Sequence, residues 1–216
     1  MKNILAIGAH PDDVEFGCFG SLKRHILEGD KVTICLMSNS TVKDASTGNF
    51  TRIKKESILE AQCAANSIGA ELIMLDYQDT KIPFNSNSVG KLEKIIVDKN
   101  INVIYTHWGG DTHQDHINTL NTTLAASRMI DNVLCYEQVP LPRVCINYPV
   151  ANYYIDITKV IDDKINACKC HKSQIKKYKS MNIDIVDNLK TLAKFRGTQA
   201  NVKYAEAFNI LKFVKK

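Results

Sequence analysis

Apolar runs alternate with segments of helical periodicity through the first two thirds of the chain. A continuous apolar run is typical of a strand buried on both faces, whereas apolar residues at i, i+3 and i+4 are typical of an amphipathic helix. The runs predict five strands, at Ile4–Ala9, Val32–Met37, Leu72–Leu75, Val103–Thr106 and Val133–Tyr136. The periodic segments between them predict four helices, at Gly17–Leu27, Thr51–Ile68, around Val89–Ile96 and at Ile117–Met129.

This alternation predicts an α/β fold, a Rossmann-like three-layer sandwich with a mostly parallel sheet. We expect the strand order 3-2-1-4-5, right-handed crossovers and a single domain over residues 1–216. Residues 137–151 hold three of the five prolines and predict a long irregular segment. The pattern beyond it predicts C-terminal helical additions over Thr158–Lys179 and Asp184–Arg196. A short added strand fits Tyr153–Ile157, and either helix or strand fits Tyr204–Val214.

Two polar clusters follow strands that this order makes neighbours. Residues 9–15, AHPDDVE, come directly after the first strand, and residues 111–116, DTHQDH, follow the fourth. Crowded carboxylates are costly unless something positive binds them, and loops at the carboxyl ends of these two strands meet at the topological switch point. Two histidines and a carboxylate form a catalytic zinc set. The competing interpretation is that Asp12, Asp13 or Thr112 merely caps a helix.

The paired motifs AHPDD and HxxDH resemble the PIG-L/LmbE-like zinc-dependent N-deacetylases, and shorter matches continue towards the end of the chain. These are Tyr136-Glu137, Tyr154–Ile157, Lys172-Ser173-Gln174, Arg196-Gly197 and Tyr204–Phe208. The resemblance implies that His10, Asp13 and His116 bind zinc. It also implies that Asp12 is the general base, that His113 stabilises the tetrahedral intermediate or donates a proton, and that Asp115 tunes His113. Ligands of this kind also suit Fe²⁺ or Co²⁺.

Substrate contacts are less well defined. The family has a substrate-contacting arginine near the position of Arg52, and a surface arginine is the alternative there. Glu15 extends the first motif and either supports the site or caps a helix. Arg143 is a candidate for lining a sugar pocket. His25 and His171 fall on predicted helices and are expected at the surface.

Composition narrows the class of protein. Hydrophobic residues make up 44% and charged residues 24%, as in a globular protein, and no apolar stretch is long enough to span a membrane. The net charge of +5 is spread along the chain without a nucleic-acid motif, so no nucleic-acid partner is expected. Seven scattered cysteines predict a reduced, cytoplasmic protein without disulfides.

The leading hypothesis is a metal-dependent hydrolase that removes the N-acetyl group from an N-acetylglucosamine-type amino sugar or its glycoside, by zinc-activated water. A second is a deacylase of another amide, such as a glycan intermediate or an antibiotic. A third is a non-catalytic sugar-phosphate or nucleotide binding module. Against the third, HPDDVEFG stands where GxGxxG is needed, and its carboxylates would repel a pyrophosphate. The resemblance also allows a homo-oligomer, a trimer or a hexamer.

Overall fold

The computed structural model describes residues 1–43, 50–139, 147 and 150–214, with only the backbone described at 42, 43, 50 and 51. The five predicted strands and the four helices between them are present up to residue 136, with a further short helix and two further short strands. They are β1 (Asn3–Gly8), α1 (Asp13–Gly17), α2 (Phe19–Leu27), β2 (Lys31–Ser38), β3 (Val42–Lys43), β4 (Phe50–Arg52), α3 (Lys54–Ile68), β5 (Glu71–Tyr77), α4 (Ser86–Asp98), β6 (Val103–His107), α5 (Gln114–Ala126) and β7 (Asn132–Tyr136). The remaining elements are β8 (Tyr153–Asp156), a 3-10 turn (Thr158–Val160), α6 (Ile161–Cys170), α7 (Lys172–Ser180), α8 (Ile185–Ala200) and β9 (Ala205–Phe213).

The main sheet has the order β5-β2-β1-β6-β7-β9-β8. Its first five strands are parallel, so the predicted 3-2-1-4-5 order and the three-layer α/β class are confirmed. Two antiparallel strands, β9 and β8, extend the sheet beyond β7. The added strand after residue 152 is therefore present, and the ambiguous last segment is a strand. A separate antiparallel pair, β3 with β4, precedes α3, so the helix predicted from Thr51 begins at Lys54.

Side chains of β1 alternate between the two helical layers, because successive strand residues face opposite sides of a sheet. Ile4 and Ala6 belong to the core cluster shared with α2 and α3. Leu5 and Ile7 belong to the cluster shared with α4. Both faces of β1 are covered, which explains its unbroken apolar run. We propose that the whole chain is one domain, because strands from its beginning and its end share this sheet.

The predicted helix over Thr158–Lys179 is wrong as a single element. It divides into α6 and α7 at His171, whose backbone leaves the helical region at φ −81° and ψ 62°. His171 is fully buried against Glu15 and Arg52, so its predicted exposure is also wrong. The predicted surface position of His25 is also wrong, because its half-buried ring lies between Asp30 and Tyr105 and contacts both. Charge patterning could not show that these histidines have buried partners.

Two of the cysteines form a disulfide, contrary to expectation. Cys63 on α3 and Cys170 at the end of α6 are bonded, with Cα atoms 5.8 Å apart. The two helices pack side by side, a proximity that a sequence separation of 107 residues conceals. Four other described cysteines are unpaired and buried, and burial raises the pKa of Cys35 and of Cys135 to about 12. The cytoplasmic location stays a prediction. Among the described residues, no helix has the length and apolar character needed to cross a bilayer.

The end of α1 sits tightly against β7. A Cβ at Gly17 would fall within the ring of Tyr136, which is fully buried and anchored by its hydroxyl to the Ile7 carbonyl at 2.9 Å. We expect Gly17→Ala to lower the free energy of unfolding by about 1–3 kcal/mol, through overpacking. The matched control is Gly90→Ala in α4, where nothing lies near the new Cβ. That change should stabilise by about 0.5–1 kcal/mol. Urea denaturation measures both, and equal stability of the two variants would contradict this packing.

Candidate metal and catalytic site

The loops that leave β1 and β6 meet at one edge of the sheet. Their strands pair in parallel, with Ile4 opposite Val103, so both chains emerge side by side at the switch point. A cavity of about 570 Å³ opens there. This size suits a small-molecule ligand. Its lining residues are His10, Asp12, Asp13, Phe16, Ser40, Asp79, Thr80, Asp111, Thr112, His113, His116, Gln138, Val139, Gln174, Lys177 and Tyr178.

Two overlapping groups of side chains here have the donor atoms and spacing for a metal ion. The donor atoms of His10, Asp13 and His116 lie within 4.8 Å of one another, and those of His10, His113 and Asp115 meet the same limit. Both carboxylates already accept hydrogen bonds, Asp13 from the His10 N–H and the Gln138 amide, each at 2.7 Å, and Asp115 from the Thr80 N–H at 2.6 Å. The groups differ in their access to the cavity, because Asp13 and His116 line it whereas Asp115 is fully buried and does not. The first group is therefore the better placed to meet an ion from solvent.

The ring of His116 is oriented by Asp111. Nδ1 of His116 lies 2.6 Å from Asp111 Oδ2, and Nε2 lies 3.5 Å from Asp13 Oδ1. Burial alone would raise the pKa of Asp111, but the hydrogen bond from His116 lowers it. A carboxylate that holds one imidazole nitrogen fixes the tautomer and leaves the other nitrogen free as a ligand. Asp111 is thus placed to support His116.

Opposite charges stabilise one another among these side chains. Burial would lower the pKa of His10, but hydrogen bonds with Asp115 and Asp13 raise it well above its usual value. Burial would raise the pKa of Asp13, yet the neighbouring His116 and a hydrogen bond with His10 hold it well below its usual range. Burial and the neighbouring His116 lower the pKa of His107 to about 4, so this ring is neutral near pH 7. Its Nε2 accepts the Ala9 N–H at 2.9 Å, as a neutral ring can.

Asp12 has the properties of a general base. Its side chain lines the cavity and is 8% exposed. Burial and the adjacent Asp13 carboxylate raise the pKa of Asp12 to about 6, while the charges of Arg52, His171 and His10 act to lower it. A carboxylate with a pKa near the working pH can take a proton from water and later return it.

The surroundings of His113 favour its neutral ring over the imidazolium, which would be the stronger proton donor. Burial and the charges of His116 and His10 lower the pKa of His113. Its Nδ1 accepts the backbone N–H of Asp115 at 3.2 Å, so the proton of the neutral ring is on Nε2. The Asp115 carboxylate contacts His10 at 3.0 Å rather than the His113 ring. Any influence of Asp115 on His113 therefore acts through the backbone and through space.

The predicted substrate contacts do not lie together. Arg52 is 2% exposed and Glu15 is 1% exposed, and neither lines the cavity. Arg143 lies outside the described residues. Part of the cavity wall comes instead from α7, through Gln174, Lys177 and Tyr178. Their i, i+3, i+4 spacing indicates one helix face, but the sequence contains no signal that this face meets the first loop.

Residues 5–127 of this chain match the PIG-L family, described as GlcNAc-PI de-N-acetylase. The match covers more than half of the chain and includes both motifs. The chain belongs to the PIG-L family. One similar protein is the uncharacterized deacetylase YaiS of Escherichia coli strain K12. It is 31% identical over 179 residues, covering 80% of this chain and 91% of the relative.

Solved structures share the fold of this PIG-L family member. The N,N'-diacetylchitobiose deacetylase of Pyrococcus horikoshii aligns with a TM-score of 0.77 and 21% identity, covering 98% of this chain and 84% of that one. GalB of Pseudomonas putida KT2440, a 4-carboxy-2-hydroxymuconate hydratase, aligns with a TM-score of 0.83 and 19% identity, covering 100% and 98%. Because these two proteins carry different activities, the fold alone does not decide the reaction.

Proposed function

We propose that this chain is a metal-dependent hydrolase that removes the N-acetyl group from an N-acetylglucosamine-type amino sugar or its glycoside. The observation that carries the proposal is one cavity that holds three functions side by side. It contains a metal-binding group of two histidines and a carboxylate, a carboxylate with a raised pKa at Asp12, and a neutral imidazole donor at His113. Family membership supports the same reaction.

His10, Asp13 and His116 fit a divalent ion, which we propose is zinc, with Fe²⁺ or Co²⁺ as alternatives for this N/O donor set. When bound, such an ion supplies Lewis-acid polarisation of the amide carbonyl and lowers the pKa of water. Asp111 would hold His116 in the ligating tautomer.

The protein's own groups account for the proton transfers. Asp12 takes a proton from the attacking water as the water oxygen bonds to the acetamide carbon. Nε2–H of His113 donates to the oxyanion that develops on the carbonyl oxygen. When the carbon–nitrogen bond breaks, the proton held by Asp12 passes to the departing amine. Acetate and a free amino sugar result, and the carboxylate is restored.

The size of the cavity supports a small substrate. About 570 Å³ suits one or two sugar rings rather than a long polymer. The test is acetate release from N-acetylglucosamine, N,N'-diacetylchitobiose and colloidal chitin, beside hydration of 4-carboxy-2-hydroxymuconate, an unsaturated hydroxy-tricarboxylate. We expect acetate from the two small sugars and little from chitin. Activity on chitin alone would contradict the small-sugar proposal. Hydration without acetate release would show that the chain is a hydratase like GalB rather than a deacetylase.

The dependence of kcat/KM on pH should show the titration of the proposed general base, Asp12. Asp12 works as a carboxylate, so kcat/KM should fall as the pH drops through the pKa of Asp12, which is about 6 before the charge of a metal ion lowers it. We expect the midpoint of the acid limb at or below that value, and its loss in Asp12→Asn. Initial rates between pH 4.5 and 8 at constant metal occupancy measure it. A wild-type acid limb that persists unchanged in Asp12→Asn would contradict the assignment.

A further inference from the structure

Arg52 lies directly behind the loop that carries the site, and it is one of the most buried cations in the described chain. Its Nη1 donates to the carbonyl of Pro11 at 3.0 Å and to Ser40 Oγ at 3.0 Å. Its Nη2 pairs with Glu60 at 2.9 Å. Pro11 stands between His10 and Asp12, so this guanidinium holds the backbone of the loop itself.

The backbone that it holds is strained. Asp12 has φ 128° and ψ −27°, whereas the other described non-glycine residues with positive φ lie between 50° and 63°. A conformation of this kind costs about 1–3 kcal/mol and persists only where the surroundings impose it. The φ angle of a residue is set by the orientation of the peptide plane before it. The carbonyl oxygen of that plane is the Pro11 oxygen, which accepts the hydrogen bond from Arg52 Nη1.

Arg52 is in turn held from the far side. Glu60 on α3 accepts the backbone N–H of Ser173 at 2.7 Å and its hydroxyl at 2.6 Å. His171 Nδ1 lies 3.5 Å from Arg52 Nη2. The guanidinium therefore stands at the joint between α3 and the start of α7, where its position is fixed by partners outside the cavity.

We propose that Arg52 is a positioning residue: it holds the Pro11–Asp12 peptide so that the Asp12 carboxylate points into the cavity, and Glu60 with Ser173 holds Arg52. The role of Asp12 rests on the proposed function. The geometric part does not, because the conformation of Asp12 can be observed without any activity. Arg52 thereby acts through Asp12 rather than by touching the substrate.

Arg52→Lys is the first test, since a single amine keeps the charge but cannot reach both Pro11 and Glu60 as the guanidinium does. We expect kcat to fall by about 10- to 100-fold, the scale of misplacing a reacting group by about 1 Å, with metal content and KM unchanged. In an Asp12→Asn background the same change should cost nothing further, because both act through one group. A loss that multiplies in the double variant would overturn the proposal.

Ser173→Ala is the milder test, and the chain offers a matched control. Ser173 is half-buried and its Oγ donates to Glu60 at 2.6 Å, whereas Ser21 is fully buried and its Oγ donates to Glu206, also at 2.6 Å. Both changes should lower Tm, Ser21→Ala by at least as much, but only Ser173→Ala should lower kcat. Equal kcat in the two variants, or an effect of Ser173→Ala confined to KM, would show that Ser173 acts only on stability or on the α7 wall, and would overturn the proposal.

A crystal structure of Arg52→Lys, or of Ser173→Ala if the first variant does not fold, gives the readout that is independent of activity. We expect the φ angle of Asp12 to relax from its strained value. Retention of that angle would overturn the proposal whatever the rates. If the wild-type protein releases no acetate from any substrate, the proposed function fails, and this structural comparison still decides whether Arg52 holds Asp12.

Discussion

Asp12→Asn is expected to lower kcat by about 10²–10⁴-fold while leaving the metal content of the protein unchanged. An amide is close in shape to the carboxylate but cannot accept the proton of the attacking water. The side chain belongs to neither group of candidate metal ligands, so the ion should stay. Steady-state acetate release, with metal analysis of the same preparation, measures both quantities.

The control for Asp12→Asn is Asp79→Asn, because Asp79 also lines the cavity but its carboxylate binds Ser38 at 2.7 Å and Ser40 at 3.3 Å. That variant should lose far less activity. Near-normal turnover of Asp12→Asn at full metal occupancy would remove Asp12 from the role of base.

His116→Ala is expected to abolish tight metal binding and, with it, activity. The change removes one of the three proposed ligands and leaves Asp111 without the ring it orients. Asp111→Asn should act in the same direction but less strongly, by about 10- to 100-fold in metal affinity, as loss of a supporting carboxylate usually does. Metal content after dialysis and a competition titration with a chelating dye measure these effects.

His25→Ala serves as the control for the metal experiment. His25, Glu28 and Asp30 form the other described group with suitable donors, and it lies apart from the cavity lining. Its loss should leave the metal content unchanged. Full metal retention in His116→Ala, or loss in His25→Ala, would place the ion elsewhere.

The sheet could be predicted from the sequence because its strands carry a local signal. Both faces of β1 are covered, so its run of apolar residues is unbroken, and the alternation of such runs with helical segments indicates a doubly wound sheet. The two antiparallel strands were harder to predict. The last segment, Tyr204–Val214, is apolar towards its end and fits a helix as well as a strand, whereas in the structure the start of β9 is buried and its end is exposed.

The proximity of His10, Asp13 and His116 could be predicted because these residues stand in two compact motifs at the ends of neighbouring strands. The buried joint behind it could not. Arg52 and Glu60 are close in the chain, but His171 lies 119 residues beyond Arg52, and nothing in the sequence around it indicates a buried partner. Only the packing of α3 against α6 and α7 brings them together. The cavity wall on α7 was missed for the same reason, because a helix face does not reveal what it packs against.

The most direct test of the central claim is a mass balance on one small substrate. Protein stripped of metal, and the same protein reloaded with one zinc per chain, are incubated with methyl N-acetylglucosaminide, and acetate and free amine are both counted. We expect one amine for each acetate from the reloaded protein and neither from the stripped protein. Reloaded protein that binds its ion at His10, Asp13 and His116 but releases no acetate from this substrate or any other N-acetyl sugar would contradict the account.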